Sequence, residues 1–303
     1  MNQTILKPGD RVVHPVKAEW GVGKVLSVNG SGIEVFFVNA GHKKLSSQYV
    51  TLTVVKGDQA NHPLLDNLAS ASAVSGASFL ALPDAIQKFL TEYPGGFTGE
   101  RYLQAERNYK DKAHEACVSL LGEPDITKLL RDGNHAEICD RARRVESATN
   151  LLASFEKIQF NAALKLPDNQ KLFAEHLVDN LYGHDEEKVR FEKLASVLDQ
   201  MQIAKWPVVT YFGYIRFPES RIFIKPEVTR NAASVCGWEI SYKPDLNWMT
   251  YIGVRGLFEH IRSALLDAGL SPRDMIDVQS FVWCIAPPSV QHVVKAAATP
   301  GTS

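Results

Sequence analysis

The 303-residue chain has only four cysteines, and no two of them are close enough to act together. Cys117, Cys139, Cys236 and Cys284 are too scattered for a zinc knuckle or a redox dithiol, which leaves buried thiols as their simplest reading. No apolar run approaches the ~18 residues that cross a bilayer. Met1-Asn2-Gln3-Thr4 lacks both the basic start and the apolar stretch of a signal peptide. The chain is therefore expected in the cytoplasm, with no membrane partner. No Gly-x-x-x-x-Gly-Lys-Ser/Thr pattern occurs, which excludes a P-loop motor. An acidic pair followed by a catalytic lysine is also missing, since Glu219 to Lys225 matches that nuclease pattern too weakly. There is no helix-hairpin-helix glycine signature, and nothing in the sequence calls for a metal or a cofactor.

What remains is an ordinary globular composition, 45% apolar and 22% charged, at a length that favours two domains. Charge is unevenly spread. Residues 1–57 carry seven Lys or Arg against three Asp or Glu, a balance of +4, and the chain total of −1 then leaves −5 for the rest. Such asymmetry suits a foothold on a polyanion.

The basic segment reads as short strands between tight turns. Arg11-Val12-Val13-His14-Pro15 follows the turn Lys7-Pro8-Gly9-Asp10, and Gly21 to Val28 alternates as a strand does. Asn29-Gly30-Ser31-Gly32 is a hairpin signal before Ile33-Glu34-Val35-Phe36-Phe37-Val38. A further turn at Asn39 to His42 leads to the last strands, through Leu52. This predicts a small SH3-like β-barrel over residues 1–57. Lys24, Lys43 and Lys44 are its candidate nucleic-acid contacts. Trp20, with His42 a candidate surface residue, either stacks on a base or plugs the barrel core.

The text Pro8-Gly9-Asp10-Arg11-Val12-Val13-His14-Pro15, Trp20-Gly21-Val22-Gly23-Lys24-Val25 and Phe37 to Leu45 resembles a domain family of unassigned function appended to bacterial repair helicases. It is also similar to RNA-polymerase-interacting modules of transcription regulators and repair-coupling factors. The resemblance covers about a fifth of the chain. It implies DNA transactions, or contact with RNA polymerase or a repair helicase, without a reaction.

Residues 58–82 are dominated by small side chains and read as a flexible tether. From Pro83 the period becomes helical, with helices expected from Pro83 to Tyr93, from Thr98 through Lys110, over about 135–164, and near 168–182 and 186–203. Arg101 and Arg107 lie beside Tyr102 and Tyr109, a pattern suited to phosphate contacts near stacked bases. Glu156 sits in an apolar stripe, where a carboxylate is costly unless paired. After Trp206-Pro207 the sequence turns β-like: strands are expected at Val208–Ile215, Arg221–Pro226, Trp238–Tyr242 and at a terminal segment reaching Trp283, with a short helix at 228–236 and an amphipathic one at 250–268. The tail from Pro287 reads as loose. The fold class is thus α+β: a small barrel (1–57), a linker (58–82), a mainly helical body with a C-terminal β-containing block (83–286), and a tail (287–303).

Asn150-Leu151-Leu152 with Phe155-Glu156, Phe223-Ile224-Lys225-Pro226, Asn247-Trp248 with Tyr251, and Arg273 to Trp283 resemble a widespread group of uncharacterised bacterial proteins. That resemblance implies one integrated domain. Within it, Tyr242, Trp248, Tyr251 and Trp283 can line a pocket for a flipped base, with Gln279 reading its edge. Arg221, Arg255 and Arg273 can hold flanking phosphates. Asp277 or Glu156 can stabilise an oxocarbenium-like sugar or activate water, and a desolvated Lys225 can act as a Schiff-base nucleophile.

These readings lead to a DNA-acting repair or antiviral-defence protein, foremost a DNA glycosylase, which needs neither ATP nor metal. A non-enzymatic adaptor that binds DNA together with RNA polymerase or a repair helicase is the alternative. A convergent pocket of aromatic, basic and acidic groups favours the enzyme; dispersed, packed positions favour the adaptor.

Overall fold

A computed structural model describes residues 6–30, 32–38, 41–60, 65, 81–240, 242–287 and 291. Most of the expected tether and tail, and the side chain of His42, lie outside the described residues. The chain divides into two compact units, Met1–Ala85 with Ala233–Ser241, and Ile86–Ala232 with Tyr242–Ser303. The α+β class holds, with a sheet in the first unit and a larger body that is 62% helical.

Five antiparallel strands build the sheet: β1 (Arg11–Val13), β2 (Val22–Asn29), β3 (Gly32–Phe37), β4 (Gly41–Ser46) and β5 (Thr53–Val54), in the order β4-β3-β2-β1-β5. The hairpin expected at Asn29–Gly32 joins β2 and β3, and Gly30 supplies the left-handed φ of 60° that its turn requires. The expected barrel is not closed. The two-residue β5 pairs with β1 alone, so β4 and β5 are the free edges of an open sheet.

Strand alternation sorts the residues into two faces. Val12, Val25, Ile33, Val35 and Phe37 form the sheet's core with Leu52, and Trp20, Leu45 and Val54 pack against it. Gly23 stands between Val12 and Phe37 in the inner row. Its missing side chain is what lets Phe37 lie flat there: a Cβ on Gly23 would meet Phe37 Cδ1 at 2.7 Å and Val35 Cγ1 at 2.8 Å.

The helical body comprises α1 (Ala81–Glu92), α2 (Glu100–Tyr102), a π turn (Leu103–Arg107), α3 (Asn108–Leu120), α4 (Glu123–Arg131), α5 (His135–Ser147), α6 (Ser154–Ala163), α7 (Pro167–Tyr182), α8 (Glu187–Gln200), α9 (Trp206–Arg216), α10 (Pro226–Cys236), α11 (Trp248–Asp267) and α12 (Met275–Ile285). The single helix expected over 135–164 is two. Ala153 turns extended (ψ 154°), and Glu156 bonds back to the Ala153 N–H to start α6.

The largest corrections concern the block after Trp206. Val208–Ile215 is not a strand but the body of α9, and Phe281–Trp283 belongs to α12. Arg221–Pro226 forms no sheet strand and leads into α10, and Trp238 makes only an isolated bridge. All ten residues from Trp206 to Ile215 are buried. A helix covered on every side shows no amphipathic period, so its β-branched Val208, Val209 and Thr210 imitate a strand. The helix signal was Pro207 in the first turn behind an extended Lys205. Thr210 fits because its hydroxyl donates to Trp206 O (2.7 Å) and accepts from Ile224 N (3.1 Å). In α12 the side chain of Asp274 caps the N–H groups of Ile276 and Asp277.

Replacement of Gly23 by alanine forces apart two buried side chains. Gly23→Ala is expected to destabilise the N-terminal unit by about 1–3 kcal/mol. Hydrogen exchange of residues 11–54 in the full chain checks this: protection should fall there, and unchanged protection would show that Phe37 yields without cost.

Candidate functional site

Two kinds of buried charge occur in the helical body. The first is a paired network at the start of α12. Arg107, the last residue of the π turn, is 4% exposed. Its Nη1 and Nη2 each donate to Asp274 at 2.6 Å, Nη1 also to Asp277 Oδ1 at 2.9 Å, and Nε to Asp111 at 2.7 Å. Burial favours loss of its proton, but the bonds to Asp274 and the charge of Asp277 outweigh this and hold it cationic. Asp277 is fully buried and also accepts from Tyr102 OH (2.6 Å) and the Arg273 N–H (2.8 Å). Burial, then the neighbouring Asp277 carboxylate, pushes the Tyr102 phenol far up. Both oxygens of this buried carboxylate are engaged, by three hydrogen bonds in all, so Asp277 acts as a keystone of the fold. Arg107 likewise commits four of its five N–H donors to these carboxylates and is 4% exposed, which leaves little of it for a phosphate.

One turn further along, Lys110 is 1% exposed and donates to Ser280 Oγ (2.7 Å), Gln279 Oε1 (3.2 Å) and Glu106 Oε2 (3.3 Å). Burial lowers its pKa, partly offset by Glu106. Gln279, expected to read a base, is thus a buried acceptor for Lys110.

The second is Lys225, which is half-buried. Its ammonium donates to Leu151 O at 3.1 Å and lies 5.3 Å from the centroid of Trp283, but no carboxylate pairs with it among the described residues. Burial therefore lowers its pKa to about 8, against a partial restoring pull from Glu156 and a further push from Lys110. Glu156 responds in the opposite sense: burial raises its pKa, and the Ala153 N–H, Lys225 and Lys205 offset this in part.

Glu156 lines a cleft of about 710 Å³ together with Trp206 and Tyr242, and with Pro226, which follows Lys225 in sequence. Behind this wall, Trp206, Phe191, Tyr251 and Trp248 form a chain of rings at centroid spacings of 5.1–6.2 Å, with Trp206, Phe191 and Tyr251 buried, and Tyr242 lies 6.5 Å from Trp206. Of the expected site residues, Glu156 and Tyr242 line this cleft; Lys225 is close enough to feel the charge of Glu156 and lies against Trp283, and Trp248 and Tyr251 connect to the cleft only through Phe191 and Trp206. Sequence reasoning missed Lys205, Trp206, Glu192, Asp199 and Asp245 of this cleft. The acids resemble a solvated helix face, and Trp206 stands just before the expected strand Val208–Ile215; only Trp206-Pro207 carries a usable signal.

The expected phosphate contacts fare unequally. Arg221 donates to Asn180 Oδ1 and O at 3.2 and 3.1 Å, and Arg255 pairs with Glu187 at 2.8 Å while lying over Trp248 and Tyr251. Both are engaged within the body. Arg273 is half exposed with a long contact to Asp111 at 3.4 Å, and Arg101 is exposed, 5.8 Å from the Tyr93 ring. In the sheet unit, Trp20 packs on Phe37 (5.2 Å) and His14 (4.8 Å), with Lys43 5.7 Å above it. Lys44 pairs with Glu34 at 3.1 Å, and Lys24 stands in register between Arg11 and Phe36.

If Asp277 is the keystone, its loss strands a buried guanidinium. Asp277→Ala is expected to cost about 3–5 kcal/mol in urea unfolding of the full chain. A cost under about 1 kcal/mol would show that the network is dispensable to the fold.

Residues 6–55 match the model of a domain family described as "Protein of unknown function (DUF3553)", so the sheet unit is similar to that family. No curated protein and no solved structure matches the chain.

Proposed function

We propose that the helical body is a metal-independent enzyme that cleaves N-glycosidic bonds in DNA, with Lys225 as nucleophile, Glu156 as its acid–base partner, and the basic sheet unit as an accessory grip on the duplex. The observation that carries this reading is the opposed shift of the two groups beside one aromatic cleft. A lysine at about 8 and a carboxylate raised above its ordinary value are both moved toward neutral pH, where each can exchange a proton.

The chemistry follows from that pairing. The neutral Lys225 amine attacks C1′, and the base departs with the electron pair of the C1′–N bond. The proton displaced from the amine passes to the Glu156 carboxylate or to water. Opening of the sugar ring, with O4′ taking up a proton, leaves an imine on Lys225 that water hydrolyses. Tyr242 and Trp206 supply the faces against which an extruded base can rest. Asp277 has a supporting part: it holds α12, and so the Trp283 ring beside Lys225.

The test incubates the full chain, with EDTA, with duplexes carrying modified bases, in the presence and absence of borohydride. Base release and a reductively trapped covalent adduct are expected. Lys225 is cationic below its pKa and a free amine above it, so the rate should rise with pH up to about 8 and then level. Lys225→Met should abolish the adduct, and Glu156→Gln should slow release by about 10²-fold or more, with both variants folded by circular dichroism. Absence of base release across the panel, or an adduct that survives Lys225→Met, overturns the reading.

A further inference from the structure

The cleft beside Glu156 has an unbalanced charge. Glu192, Asp199 and Asp245 join Glu156 in lining it, against the single cation Lys205. None of those three outer carboxylates forms an ion pair among the described residues. Glu156 is only 7% exposed, and Oε2 takes the Ala153 N–H; Oε1 has no hydrogen-bond partner among the described residues. One acceptor oxygen of Glu156 is thus left open to a cleft whose walls concentrate negative potential.

The aromatic part of the wall has the same preference. A ring face attracts cations, and Tyr242 already carries the Arg230 guanidinium at 5.5 Å. Trp206 is fixed by its Nε1 donating to Lys243 O at 3.1 Å, which leaves its ring without rotational freedom. Such a site disfavours a phosphate or an anionic base, since neither can offset Glu192, Asp199 and Asp245, which outnumber Lys205. A flat cation satisfies both the rings and the acids.

We infer that the cleft selects a cationic, N-alkylated purine, a deepening that rests on the base-excision reading above. Alkylation at N3 or N7 places a positive charge on the stacked base itself. When C1′–N9 breaks, its electron pair neutralises that charge, so the base leaves without a proton donor. The cleft then needs only to hold the cation and present C1′ to the nucleophile.

The experiment compares release of 7-methylguanine and 3-methyladenine with release of uracil, hypoxanthine and 8-oxoguanine by the full chain, with EDTA. Alongside it, tryptophan fluorescence follows binding of 1-methyladenosine, a cation, against adenosine. Cationic bases should leave faster by about tenfold or more, the size of a desolvated cation–π contact. The doubly substituted Asp199→Asn, Asp245→Asn chain, and Tyr242→Leu, should each bring that ratio toward one while remaining folded by circular dichroism. Equal or faster release of the neutral bases overturns the cationic preference and leaves base excision standing. No release, with 1-methyladenosine bound at least tenfold more tightly than adenosine, overturns base excision but supports the cleft's ligand class. No release and no difference in binding overturns both.

Discussion

A guanidinium taken out of water needs acceptors for its N–H groups, and Arg107 makes four hydrogen bonds to Asp111, Asp274 and Asp277. That requirement joins the π turn to the first turn of α12 across some 170 residues of chain. A mid-helix π turn offsets the residues that follow it, and the offset here delivers Arg107 and Lys110 to the same side, Arg107 to the carboxylates and Lys110 to Gln279 and Ser280 one turn along α12. An isolated buried ion of this kind is costly, and even a good pair roughly offsets its desolvation. Its value lies in specificity: only one placement of α12 satisfies Arg107, Tyr102 and the Arg273 backbone together.

The far end of α12 inherits that placement. Trp283 stands where its ring meets the Lys225 ammonium at 5.3 Å. Lys225 follows Ile224, whose N–H is bonded to Thr210 of the buried helix α9. Two rigid elements therefore hold the lysine with one carbonyl acceptor and, among the described residues, no paired carboxylate, so that only the more distant Glu156 pulls its charge back. The same body accordingly uses burial in two opposite ways. Around Arg107 it surrounds a charge with partners and makes it permanent; around Lys225 it withholds the partner and makes the charge removable.

How far this was legible in the sequence depended on whether a residue's environment was local. The hairpin at Asn29–Gly32, the strands around it and the amphipathic helices carry their signals in a few consecutive residues. Val208–Ile215 and Phe281–Trp283 do not, because complete burial erases the periodicity that separates a helix from a strand. Barrel closure was also beyond local reading, since it depends on how long β5 is. Glu156 was legible as a carboxylate in an apolar stripe. Asp277 carried the same sort of signal, yet its meaning rested on Tyr102 and Arg107, about 170 residues away. The acids of the cleft had no signal at all: each is an ordinary exposed side chain until the fold sets Glu192, Asp199 and Asp245 around one cavity.

The sheet unit and the cleft have complementary electrostatic tasks under this reading. A balance of +4 in the first 57 residues supplies attraction to a phosphate backbone that is long-ranged and blind to sequence. A cleft in which Glu192, Asp199 and Asp245 outnumber Lys205 repels that same backbone, so a duplex has no electrostatic reason to settle into it unless the inserted base brings positive charge of its own. On the proposed reading, attraction by the sheet unit and repulsion in the cleft would act as a filter: the grip would concentrate DNA of every kind, and the cleft would make most bases unfavourable guests. Discrimination would then arise from rejecting ordinary bases as much as from welcoming damaged ones. That division explains why the basic residues and the candidate chemistry occupy different parts of the chain.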